Sequence, residues 1–160
     1  MTKTYKEHRE FGFMHPVSGY YQASIIVYVD DETGEEILDE YTPLEGAVPF
    51  PVRPQGDHWR INDAKTAWIK MSAEEIRAVM PSLTRLKFRK EFKDAGMTTV
   101  VINAAIASVA DPSEQEDYQI AWEDAQSFKR LDPLVLLIAA HAGKTPEQID
   151  DIWNAALAIA

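Results

Sequence analysis

Hydrophobic positions change their period once along this chain, near Met71. Before it, Ala23, Ile25, Val27 and Val29 alternate with Ser24, Ile26 and Tyr28, a β-branched and aromatic run with apolar residues on both faces, which predicts a strand buried on at least one side. Asp30-Asp31-Glu32-Thr33-Gly34 supplies turn residues, with Gly34 free to take positive φ, and Glu35 to Tyr41 resumes an extended pattern, so a hairpin is expected. Upstream, Phe13 to Tyr21 holds a Pro-x-Ser-Gly turn between aromatic flanks and predicts a further short strand. Pro43, Pro49, Pro51 and Pro54 make the next stretch a semi-rigid, polyproline-like connection. His58-Trp59 and Ala67-Trp68-Ile69 then read as a second two-strand unit with Asn62-Asp63 near its turn and the two tryptophans close in space.

Past Met71 the spacing is helical. Ser72-Ala73-Glu74-Glu75 matches a capping box for a short helix that ends before Pro81. Thr84 is placed to cap a helix with Phe88, Phe92 and Ala95 on one stripe, stopped by Gly96. Residues from Thr98 or Thr99 to Val109 are apolar on nearly every side, which as a helix predicts a central one, while Val100-Val101-Ile102 leaves a strand open. Ser113-Glu114-Gln115-Glu116 reads as another capping box, leading to a stripe of Tyr118, Ala121, Trp122, Ala125 and Phe128. Asp132-Pro133 and Thr145-Pro146-Glu147-Gln148 open the last two helices, with Gly143 between them. The fold class expected is α+β: a small antiparallel β-rich unit with its proline-rich connection over 1–71, then an α-helical bundle over 72–160.

Composition narrows the function classes. The 160 residues are 46% hydrophobic and 26% charged, as in a globular chain, and contain no cysteine, so disulfide, thiolate and cysteine-bearing zinc chemistry drop out. A net charge of −10, spread over both halves, repels phosphate and anionic lipid, so neither nucleic acid nor membrane is an expected partner. The first ten residues have no apolar stretch behind them, and Leu134 to Ala140 is far short of the roughly 20 residues needed to cross a bilayer, so a signal peptide and a membrane span are not expected.

Catalytic patterns are missing. His8, His15, His58 and His141 include no i, i+4 pair, and the acids Asp30, Asp31, Glu32, Glu35 and Glu36 lack the spacing of a calcium loop, so they read as a solvated hairpin tip. Nucleophile elbows, phosphate loops and dinucleotide fingerprints are absent, and no cofactor or metal is expected. One positive patch stands out: Arg85, Arg89, Lys90 and Lys93 occupy the helix face opposite Phe88 and Phe92. It either docks an acidic partner or is balanced by Glu114, Glu116, Glu123 or Asp124 on a neighbouring helix. Trp59 and Trp68 are candidates for a contact surface or, as a small β unit also needs, for its core.

Phe13 to Tyr21 is similar to the aromatic, Ser/Gly-turn, aromatic opening of bacteriophage and prophage tail-fibre assembly and tail-associated accessory proteins. Pro49-Phe50-Pro51-Val52-Arg53-Pro54, followed by His58-Trp59 and Ala67-Trp68-Ile69, resembles their proline-rich spacer and tryptophan hairpin. Leu83 to Arg89 and Trp122 to Ala125 resemble small proteins of prophage tail regions, while the helical half departs from the better-known assembly chaperones. The resemblance implies a non-enzymatic factor that helps the distal end of a tail fibre fold, acting in the host cytoplasm or remaining in the virion tail. Its partner would be the fibre or another tail protein, with Trp59, Trp68, Arg85, Arg89 and Lys93 as the candidate binding residues. The other readings are a minor structural tail protein and a small hydrolase whose carboxylates converge only in three dimensions. Oligomeric state is left open.

Overall fold

The computed structural model describes residues 2–159 as mixed α and β structure, divided into two compact units, Met1–Met71 and Ser72–Ala160. In the first unit, β1 (Lys3–His15) and β2 (Gly19–Asp30) form a long antiparallel hairpin, paired from Lys3 opposite Asp30 to His15 opposite Gly19, with a bulge at Lys6. The aromatic flanks of the Pro16 turn are thus the ends of long strands. The turn is closed by His15, whose Nδ1 accepts the N–H groups of Ser18 (2.8 Å) and Val17 (3.2 Å), while Gly19 takes φ 80°. The strand running back to Lys3 is longer than the sequence pattern indicates. Lys3 to Glu10 is solvated on both faces, so no hydrophobic period marks it, and it is held by main-chain pairing with β2.

The expected second hairpin is present as β3 (Glu36–Leu38) on the outer side of β2, shorter than the extended pattern of 35–41. Asp30 builds its turn: Oδ1 accepts from Glu32 (2.8 Å) and Thr33 (2.9 Å), and Gly34 sits at φ 75°. The proline-rich connection departs from expectation. Three of its residues join the sheet as β4 (Val48–Phe50), on the outer side of β1 opposite Gly12 to Met14, giving the order β3-β2-β1-β4. Pro49 is tolerated because β4 is an edge strand. Glycine is needed opposite it: a Cβ on Gly12 would lie 2.5 Å from the Phe50 carbonyl oxygen. β5 (Trp59–Ile61) and β6 (Trp68–Lys70) form a separate antiparallel pair, and the Asn62 Oδ1 shapes its turn by accepting from Thr66 (2.8 Å) and Ala67 (3.2 Å).

The second unit contains six helices among the described residues: α1 (Ala73–Val79), α2 (Arg85–Asp94), α3 (Thr99–Ala107), α4 (Pro112–Asp124), α5 (Pro133–His141) and α6 (Pro146–Ala158). Both strands of a short ribbon, β7 (Leu83–Thr84) and β8 (Ser127–Phe128), lie among them, so this part of the chain is less purely helical than its periodicity predicts. Phe128 therefore belongs to the ribbon instead of the α4 stripe. Ser72–Glu75 and Thr145–Gln148 form complete capping boxes, and Thr84 caps α2. The start of α4 differs: Asp111 is its cap, with Oδ1 accepting from Ser113 and Glu114 at 2.9 Å, and Pro112 stands at the first helical position. Asp132 occupies the cap position of α5, but its carboxylate turns back to the Lys129 N–H at 2.6 Å.

The core of this unit is aromatic. Phe88 stacks on Phe92 (centroids 3.9 Å apart) and Phe128 (4.4 Å) and meets the edge of Trp153 (6.2 Å), whose indole N–H donates to the Pro81 carbonyl. α3 contributes Ile102, Ala105 and Ile106, yet Val100 is 77% exposed, so this apolar helix lies at the margin of the core and not at its centre. The guanidinium of Arg130, only 2% exposed, is held inside by Asp150 (2.8 Å) and the Pro146 carbonyl (2.8 Å), and Arg77 takes the other Asp150 oxygen at 2.8 Å. Among the described residues no helix is long and apolar enough to cross a membrane.

Candidate interaction surface

The two tryptophans of the β5–β6 hairpin share a face, because Trp59 stands opposite Lys70 and Ile61 opposite Trp68. Their environments differ. Trp68 packs edge-on to Tyr20 (4.8 Å) and Phe50 (6.1 Å), donates its N–H to the Pro51 carbonyl at 2.8 Å, and is approached by Arg53. It thereby fastens the hairpin to the main sheet. Trp59 donates to the Gln55 carbonyl and lies under the Lys70 ammonium, 4.4 Å from the ring centre. Both rings remain half-buried.

The basic residues of α2 divide. Arg85 spends its guanidinium on the Glu123 main-chain carbonyl, and its N–H on the Gln126 carbonyl, tying α2 to the end of α4. Arg89 lies over the ring of Trp122 at 4.9 Å, and with Lys90 and Lys93 it lines a shallow groove of about 200 Å³ floored by Met97, Ile102 and Trp122. Among the described residues the four acids expected to balance this face do not pair with it. Lys93 reaches its own neighbour Asp94, Glu123 accepts from Gln119, and Glu114 accepts from Tyr118. Arg89, Lys90 and Lys93 are exposed, and Arg85 is half-buried.

Edge chemistry in the first unit escapes a reading by hydrophobic period. β3 covers β2 only at Val27 to Val29, and Asp39 adds one main-chain bond at Ile26, so the outer edge of β2 from Gly19 to Ile25 has no strand neighbour among the described residues. That stretch carries no charge and no proline. β1 is charged along Lys3 to Glu10, where Lys3, Lys6 and Arg9 reach across β2 to Asp39 and Glu36. Charged edges resist strand addition and uncharged ones invite it. Tyr20 and Tyr21 hold the flanking loops by accepting the N–H groups of Arg53 and Leu44, both at 3.0 Å.

At the hairpin tip, Glu36 accepts hydrogen bonds from Arg9 (2.9 Å) and Lys6, which lower its carboxyl from 4.5 to about 2. Asp30 is also held below its usual range, by the N–H groups of Thr33 and Glu32. Of the five acids that the sequence groups as a solvated tip, Asp30 holds the turn and Glu36 pairs with Arg9 and Lys6, while Asp31, Glu32 and Glu35 are exposed. Among the described residues no group of three or more His, Asp or Glu is disposed to hold a metal ion. Comparison with protein-family models, curated proteins and solved structures found no match.

Proposed function

We propose that this chain is a protein-binding accessory factor of a bacteriophage or prophage tail, which assists folding or assembly of a tail fibre by binding its distal end. The observation that carries the reading is the uncharged outer edge of β2, Gly19 to Ile25, which has no strand neighbour among the described residues. A fibre terminus ending in unpaired strands is stabilised when its last strand is extended by main-chain hydrogen bonds from such an edge. The Phe13 to Tyr21 turn and the tryptophan hairpin, which carry the family resemblance, bracket the same unit. Under this reading the six helices of 72–160 pack as a bundle and supply the stable body, Trp59 adds a side-chain contact in the β unit, and Arg89 and Lys93 are candidate contacts of the helical unit by itself.

Co-expression with the carboxy-terminal fragment of a neighbouring fibre gene tests the proposal. The chain is expected to co-purify with the fragment and to raise the yield of its trimer. A Gln22→Lys/Ser24→Lys variant, altering two exposed positions on the β2 edge, is expected to fold and to lose the complex. Equal trimer yield with and without the chain overturns the proposal.

A further inference from the structure

A second, independent pair of surfaces lies wholly within residues 72–160. The first is a cleft of about 430 Å³ between α4, β8 and α5. Its floor is apolar, formed by Ala121, Ala125, Phe128 and Leu134, and three carboxylates, Glu114, Asp117 and Asp132, stand around it. Among the described residues none of these three is in an ion pair. Glu114 accepts the Tyr118 hydroxyl at 3.3 Å, and burial together with the Glu114 charge pushes that phenol up. The cleft therefore selects an occupant with an apolar tip surrounded by positive charge.

The same chain carries such a tip. Leu86, 67% exposed, lies on one face of α2 with Arg89, Lys90 and Lys93, at spacings of three, four and seven. On a molecule of net charge −10 this is a concentrated positive face, and it surrounds an exposed leucine. Within one chain the two surfaces have separate linings, and among the described residues no ion pair joins Arg89, Lys90 or Lys93 to Glu114, Asp117 or Asp132.

We infer that a second copy of this chain is the occupant: Leu86 of one copy enters the α4–α5 cleft of the next, and Arg89, Lys90 and Lys93 meet Glu114, Asp117 and Asp132. Such a contact joins two different patches, so it propagates head to tail instead of pairing about a two-fold axis. A cleft this small gives a weak association, and exposed charges make it sensitive to salt.

Sedimentation velocity of the full chain, from micromolar to millimolar concentration at low salt, tests this. The mean mass is expected to rise with concentration beyond two chains and to fall back when salt is added. Asp117→Lys loses the cleft and Lys90→Glu the knob, so each variant alone is expected to sediment as a single chain. Mixed, they are expected to associate again, because the intact cleft of the Lys90→Glu variant takes the intact knob of the Asp117→Lys variant. Both positions are exposed, and matching thermal melts verify the folds. A wild-type mass that stays at one chain, self-association unaffected by either variant, or a mixture that stays monomeric overturns the inference. Loss of fibre binding in the β2-edge variant bears only on the other proposal.

Discussion

Two buried or half-buried carboxylates show how single residues set local structure here. Asp30, 5% exposed, is fully engaged by the turn that it closes, and Asp150 accepts from two arginines at once. Because the Arg130 side chain has almost no contact with water, Asp150 is what makes its charge tolerable in the interior. Asp150→Ala leaves an uncompensated guanidinium and is expected to cost about 3–5 kcal/mol in urea unfolding of the helical unit. A loss below about 1 kcal/mol would show that Arg130 finds water or another partner on its own.

Among the elements, the β1–β2–β3 hairpins hold two carboxyls below their ordinary values, Glu36 and Asp30. Folding lowers the Glu36 carboxyl from 4.5 to about 2, chiefly through Arg9 and then Lys6. A group whose folded value lies below its unfolded value stabilises fully above the unfolded value, and this stability is lost as pH falls through the folded one. The sheet is thus expected to weaken progressively between about pH 4.5 and 2, in the same direction as Asp30. Amide resonances of β2 and β3 followed by NMR across that window report it directly. Glu36→Gln is expected to flatten the dependence, and an unchanged pH profile in that variant would assign the effect elsewhere.

Over the whole molecule, the two units are unequally provisioned. Among the described residues the helical unit buries a cluster of fifteen side chains, including the five aromatic residues Phe88, Phe92, Trp122, Phe128 and Trp153. Among the described residues the β unit buries only Phe13, Met14, Ile25, Val27 and Phe50 as apolar side chains. A core this small supplies only a few kcal/mol, roughly 3–5 at most. Unfolding by urea is therefore expected in two steps, with Trp59 and Trp68 reporting the first and Trp122 and Trp153 the second. Tryptophan-to-phenylalanine variants that leave one pair at a time resolve the steps, and superimposable transitions would show a single cooperative body.

Features governed by neighbours a few residues away were legible in the sequence. The Asp30–Gly34 turn, the Asn62 turn, the boxes at Ser72 and Thr145, the cap at Thr84 and the stop at Gly96 are all decided by side-chain hydrogen bonds or backbone freedom within a handful of positions. Phe88 and Phe92 were legible as core because one helix face repeats them. The Asp111-Pro112 start of α4 was equally local, and its signal is the Asp-Pro pattern that marks α5. The rest depended on partners far along the chain. Main-chain pairing takes almost any side chain, so only tertiary structure made strands of Lys3 to Glu10 and Val48 to Phe50 or joined Leu83 to Phe128. Hydrophobicity states that a residue can be buried and not which neighbour covers it, so the exposure of Val100 and Leu86 was decided in three dimensions. The sequence by itself determined the local chemistry of turns, caps and stripes. The fold decided which edges stay open, which charges are left without a partner and where the acid-rimmed cleft lies, because each depends on residues brought together across tens of positions.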